Sequence, residues 1–65
     1  MFSNILAEMV RRQITKKEMS KYLNMSTFTF DRKIKNESGF TVDEIFKIQK
    51  IFNDEKCTFE YLFEE

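Results

Sequence analysis

The sequence has 65 residues, 42% of them apolar and eight of them phenylalanine, with 11 basic and 11 acidic side chains that cancel to a net charge of zero. That is enough apolar material for one domain, residues 1–65, and it excludes intrinsic disorder; yet the chain is near the size at which a single core barely suffices, which leaves room for a stabilising partner. No apolar run approaches the roughly 20 residues of a membrane-spanning helix and no secretion signal is visible, so the expected setting is the cytoplasm, away from membranes.

Histidine is absent and Cys57 is the single cysteine. An intramolecular disulfide and a zinc cluster are therefore excluded, no metal or cofactor is expected, and Cys57 reads as a small core hydrophobe.

Proline is absent, Gly39 is the single glycine, and no stretch alternates as a half-buried strand does. The expected fold class is all-α, a compact bundle of five short helices. In the first helix Ile5, Leu6, Met9 and Val10 recur at helical spacing, with Ser3 as N-cap, Glu8 on the solvent side and an end near Gln13. Thr15 and Glu18 form a capping box that starts the second helix, where Met19 and Leu23 repeat at i, i+4 and Ile14 is placed to staple onto Met19. Asn24 tolerates the left-handed conformation that ends helices, and Ser26 caps the third helix.

In that third helix Phe30 and Ile34 lie one turn apart and face the core, while Phe28, Arg32 and Lys35 project from the other side. A polar loop, Asn36 to Gly39, leads to a second capping box, Thr41 with Glu44, opening a fourth helix with the core stripe Val42, Ile45, Ile48 and Phe52. Phe46 and Ile51 flank that stripe, either as a dimer surface or beneath the first and fifth helices. Thr58 caps a last short helix that buries Phe59 and Leu62.

Charge is unevenly spread. Between Arg11 and Lys35 stand Arg11, Arg12, Lys16, Lys17, Lys21, Arg32, Lys33 and Lys35 against Glu18 and Asp31, whereas acids outnumber bases from Asn36 onward. Such asymmetry points to a polyanion at one side of the molecule, the alternative being a chance distribution of solvated charge. The basic stretch also has the organisation of a helix-turn-helix over residues 15–36: a capped helix, a turn through Asn24, Met25 and Ser26, and a second capped helix from about Thr27 to Lys35.

In ITKKEMSKYLNMSTFTFDRKIKN, VDEIFKIQKIFN and CTFEYLF the chain resembles the XRE-type helix-turn-helix family, which includes phage repressors and Cro proteins. Ser20 stands where the family usually has alanine, and Asn24 and Asn36 stand where it often has glycine. The resemblance implies a lambda-repressor-like DNA-binding domain with its third helix in the major groove, and base contacts at Thr27, Phe28 and Arg32.

The residues themselves support two of the three. Arg32, opposite the core stripe, can donate a bidentate pair to guanine, and Phe28 has no evident place in the core and can meet thymine methyl groups; burial of Phe28 against the second or fourth helix is the alternative. Lys16 and Lys17 reinforce the positive N-terminus of the second helix as a phosphate site, and Thr29, Lys33, Lys35, Asn36 and Ser38 are candidates for the other side. Each lysine alone reads equally well as unengaged surface. Asp31 accepts from cytosine N4, orients Arg32, or is plain solvated surface.

By resemblance, the expected function is a bacterial or phage transcription regulator that binds double-stranded DNA at a two-part operator as a dimer. The rival is a protein-binding module on the same fold, acting as an antagonist of a repressor or polymerase, since fold does not fix function. No enzyme is expected, because the chain has no histidine, no glycine-rich phosphate loop and no nucleophile beside a base.

Overall fold

In a computed structural model that describes residues 1–65, the chain forms five α-helices and no strand: α1 (Ser3–Arg11), α2 (Lys16–Tyr22), α3 (Thr27–Ile34), α4 (Val42–Phe52) and α5 (Phe59–Leu62). None is long and apolar enough to cross a membrane. Four helices start where a hydroxyl side chain accepts a backbone N–H of the first turn: Thr15 from Glu18, Ser26 from Thr29, Thr41 from Glu44 and Thr58 from Tyr61. At Thr15 and Thr41 the glutamate returns the bond to the cap's own N–H, at 2.9 and 2.8 Å, completing both capping boxes.

Helix α1 begins differently. The Ser3 cap expected from the sequence is not formed; Phe2 occupies the N-cap position without a side-chain bond. Its N–H donates to the Ile34 carbonyl at 2.8 Å and its buried ring meets Phe63 edge-on, centroids 5.2 Å apart. Tertiary burial of Phe2, rather than local capping, sets where α1 starts.

The ends of α1, α2 and α3 repeat one device. Gln13, Asn24 and Asn36 hold left-handed φ of 56°, 57° and 63°. Each donates to the carbonyl three residues back while the next residue reaches five back, as in Asn24 to Lys21 and Met25 to Ser20. These are Schellman closures with asparagine or glutamine where glycine is usual. Asn53 ends α4 in the same region, at φ 47°.

The core contains Phe2, Ile5, Met9, Met19, Leu23, Phe30, Ile34, Ile48, Phe52, Cys57 and Leu62, with Ile14 and Met25 packed at its margin. Phe30 and Ile34 face inward as the spacing predicts. Three expected core residues do not: Val10, Val42 and Phe59 are exposed. Val10 and Val42 lie outside the arcs that α1 and α4 turn inward, and Phe59 stacks on Phe63 at the rim instead. Phe40, in the α3–α4 loop, lies within 6.3 Å of the Phe2, Phe30 and Phe63 centroids and fills the aromatic corner. Of the two flanks of α4, Ile51 is partly covered and Phe46 is exposed.

Glu8, expected on the wet side, is only 4% exposed. Its carboxylate accepts from Arg11 and Tyr61 at 2.6 Å each and from Arg12 at 2.5 Å. The Tyr61 hydroxyl first, then Arg12, holds its pKa below the ordinary value, against the opposing effect of burial. Arg12 also donates to the Phe52 carbonyl and to Asp54, so this ion cluster ties α1 to the end of α4 and to α5. Cys57 sits beneath it, its pKa raised by burial and then by the nearby Glu8 charge, consistent with an inert core thiol.

Candidate nucleic-acid interface

Helices α2 and α3 pack directly on each other, joined by the Leu23–Ser26 turn. Ser20, 3% exposed, is small enough to sit at their contact; its hydroxyl donates to the Lys17 carbonyl at 2.8 Å and lies 3.3 Å from the Thr27 hydroxyl. The Schellman closure at Asn24 then reverses the chain and fixes the angle at which α3 departs. Phe30 and Ile34, both essentially inaccessible, anchor the inner side of α3 and leave Phe28 and Arg32 on its outer side.

On that outer side Thr27 and Arg32 are exposed and Phe28 is 71% exposed. The Arg32 guanidinium carbon lies 5.9 Å from the centre of the Phe28 ring, a cation–π distance, and Nε is 3.7 Å from Glu37. All three residues expected to read bases are therefore exposed, Phe28 and Arg32 beside each other and Thr27 at the start of α3 with its hydroxyl toward Ser20, and the alternative of a buried Phe28 is overturned.

The residues expected to hold phosphates divide. Lys16 and Lys35 both pair with Asp31, at 2.7 and 3.0 Å, which lowers the Asp31 pKa (Lys16 being the stronger influence) and raises that of Lys35. These pairs are on the surface, where such bonds contribute under about 1 kcal/mol, so a phosphate competes readily for either lysine. Lys17 is exposed and forms no ion pair within the chain.

Thr29 is half-buried, its hydroxyl oxygen accepting from Ser26 at 2.9 Å. The Asn36 amide donates to Glu65 at 2.5 Å, which brings an acid to the loop after α3, and Ser38 is half-buried there.

Lys33 is a correction. Expected at a phosphate, it is 8% exposed and points inward, donating to Glu44 at 2.8 Å and to the Gly39 carbonyl at 3.1 Å, with the Phe40 ring centre 5.8 Å away. Burial raises the Glu44 pKa but the Lys33 bond and the Thr41 N–H outweigh it, leaving a net lowering. Lys33 fastens α3 to the capping box of α4 and is unavailable to an external anion.

The geometry adds one residue. Lys17, Ser20, Lys21, Asn24, Met25, Ser26 and Thr27 line an open notch between α2 and the start of α3. Lys21 is one turn from Lys17 and likewise free of ion pairs, a neighbour that i, i+4 spacing alone could have identified. In comparisons with protein-family models, curated proteins and solved structures, nothing matches this chain. The candidate interface is thus an exposed aromatic and an arginine on the outer side of α3, whose start borders a notch with two unpaired lysines.

Proposed function

We propose that this chain is a sequence-specific double-stranded DNA-binding transcription regulator of the phage repressor and Cro type, which enters the major groove with α3. The observation that carries the reading is the exposure of Phe28 and Arg32 together on α3, whose first residue, Thr27, borders the notch lined by Lys17 and Lys21. An exposed phenylalanine beside a guanidinium suits an apolar methyl next to a guanine edge. Thr27 lies where α3 would first approach the groove. Lys16, Lys17, Lys21 and Lys35 are the groups available to phosphates.

Anisotropy of a labelled mixed-sequence duplex, titrated with the chain at several salt concentrations, tests this. Up to four lysines at phosphates predict a log–log slope of about −3 to −4. Arg32→Ala should weaken selected sites more than random DNA, while Lys17→Ala should weaken both alike and flatten the slope by about 1. Absence of binding in low salt overturns the proposal.

Net neutrality and the exposed Phe28 also favour a second reading, a module that binds a protein of the transcription machinery. On that reading Phe28→Ala abolishes partner capture and DNA binding is absent from the start.

A further inference from the structure

We propose that the groove between the end of α2 and the second half of α4 docks an acidic segment of a partner protein, which places one large apolar side chain against Tyr22 and Ile51 and carboxylates against Lys47 and Lys50. The site does not depend on the DNA reading, since it shares no residue with the α2–α3 notch and does not include Phe28 or Arg32.

Tyr22, Lys47, Lys50 and Ile51 line this groove, whose volume is about 330 Å³. That is the small end of the range for ligand pockets, room for one large side chain and not for an extended ligand. Tyr22, 59% exposed, offers an aromatic ring, and Ile51, packed against the margin of the core, offers an aliphatic surface.

The charge of the groove is one-sided. Lys47 and Lys50 are exposed, stand one turn apart on α4 and form no ion pair within the chain. Like charges at that spacing repel, and no acid lines the groove to offset them. The acids within one turn of Lys47 on α4 are Glu44, which Lys33 engages, and Asp43, which pairs with neither lysine. An apolar side chain with negative charge on either side therefore complements both the shape and the charge. A continuous run of phosphates along α4 would meet Asp43, one turn before Lys47, whereas a short acidic segment ends before it. Ile51 also suits an amino-acid side chain better than a base, which stacks on aromatic and guanidinium planes.

A contact of one side chain and two surface ion pairs is weak, with a Kd of about 0.1–1 mM. Amide NMR titration of the isotope-labelled chain measures it, using a short synthetic peptide with one tryptophan flanked on each side by glutamates and a second with lysines in their place. The glutamate peptide should shift the amides of Tyr22, Lys47, Lys50 and Ile51, and the lysine peptide should not. Tyr22→Ala should weaken binding at least about tenfold, as loss of an aromatic anchor does. Lys47→Glu and Lys50→Glu should each weaken it about fivefold, and the two together should reverse the preference in favour of the lysine peptide. Lys56→Glu, the same change of charge at an exposed position outside the groove, should leave binding within about twofold of wild type.

Tyr22, Lys47 and Lys50 are exposed, so circular dichroism and melting should match wild type and separate lost binding from lost folding. No shift at these four residues with about 2 mM glutamate peptide overturns the proposal. So do equal shifts with the lysine peptide, binding indifferent to Tyr22→Ala or to the double reversal, and tighter binding of oligothymidylate at the same residues.

Discussion

Replacing Glu8 by glutamine keeps the size of the side chain and removes its charge from a site where three donors converge. The carboxylate is almost fully enclosed and accepts from Arg11, Arg12 and Tyr61. Glutamine offers one oxygen for these donors and turns an NH₂ toward a guanidinium. Removing one member of a buried ion pair costs about 3–5 kcal/mol. Arg12, with 22% of its side chain exposed, keeps Asp54 and the Phe52 carbonyl, which reduces the expected loss to about 2–3 kcal/mol. A domain of this size has about 3–10 kcal/mol to lose. The melting temperature should therefore fall by about 10–20 °C at pH 7.

The pH dependence follows from the lowered pKa. Glu8 holds its proton less tightly in the folded chain than in the unfolded chain, so its contribution is fully present above the ordinary value near 4.5 and is lost as pH falls through the folded value. Glutamine has no such contribution to lose. The gap in melting temperature between wild type and Glu8→Gln should be constant from pH 8 to about 5 and shrink below 4.5. Thermal melts by circular dichroism at half-unit steps measure it. Equal melting at pH 7, or a gap that persists undiminished at pH 3, would refute a buried, ionised Glu8.

Lys33→Met should leave the salt slope of DNA binding unchanged, in contrast to Lys17→Ala, while lowering stability by about 1–3 kcal/mol through the stranded Glu44; a flattened slope would return Lys33 to the phosphate contacts. Gln13→Gly should stabilise by about 0.5–1 kcal/mol, read from urea melts, because glycine relieves the left-handed backbone; an unchanged or lower midpoint would place the strain elsewhere. On a selected operator, replacing thymine by uracil at the bases nearest Phe28 should weaken wild type several-fold and Phe28→Ala hardly at all; equal losses would mean that Phe28 does not meet the methyl groups.

The fold was readable from the sequence where structure is decided locally. Thr15, Ser26, Thr41 and Thr58 start helices because a cap needs only its own first turn, and Asn24 and Asn36 end helices because asparagine tolerates positive φ. The inward Phe30 and Ile34 and the outward Phe28 and Arg32 follow from one helical period. What periodicity cannot supply is which residues a neighbouring element covers. Val10 and Val42 match the apolar period of their helices yet fall outside the covered arc, while Phe40 lies in a loop, where no period applies.

Buried charge was hidden for the same reason. Glu8 is enclosed because Tyr61, 53 residues away, closes over it, and Lys33 because Glu44, 11 residues on, gives it a partner. Taken alone, each has the local pattern of a solvated charge.

Those two clusters also change what a net charge of zero means for a polyanion. Arg11, Arg12 and Lys33 are engaged by Glu8, Asp54 and Glu44 within the molecule, so they contribute little field at the α2–α3 surface. Lys16, Lys17, Lys21, Arg32 and Lys35 remain there against Glu18 and Asp31, with Glu37 at the edge. The local excess is positive but smaller than the sequence tally of basic residues suggests. A surface with that excess can hold a few phosphates and cannot by itself bind DNA tightly at physiological salt. On the proposed function, affinity would then have to come from contacts of Phe28 and Arg32 with the right bases, or from a second copy that doubles the lysines. On the same proposal, a weakly basic surface of this kind would discriminate well between sites, because its sequence-independent attraction is small.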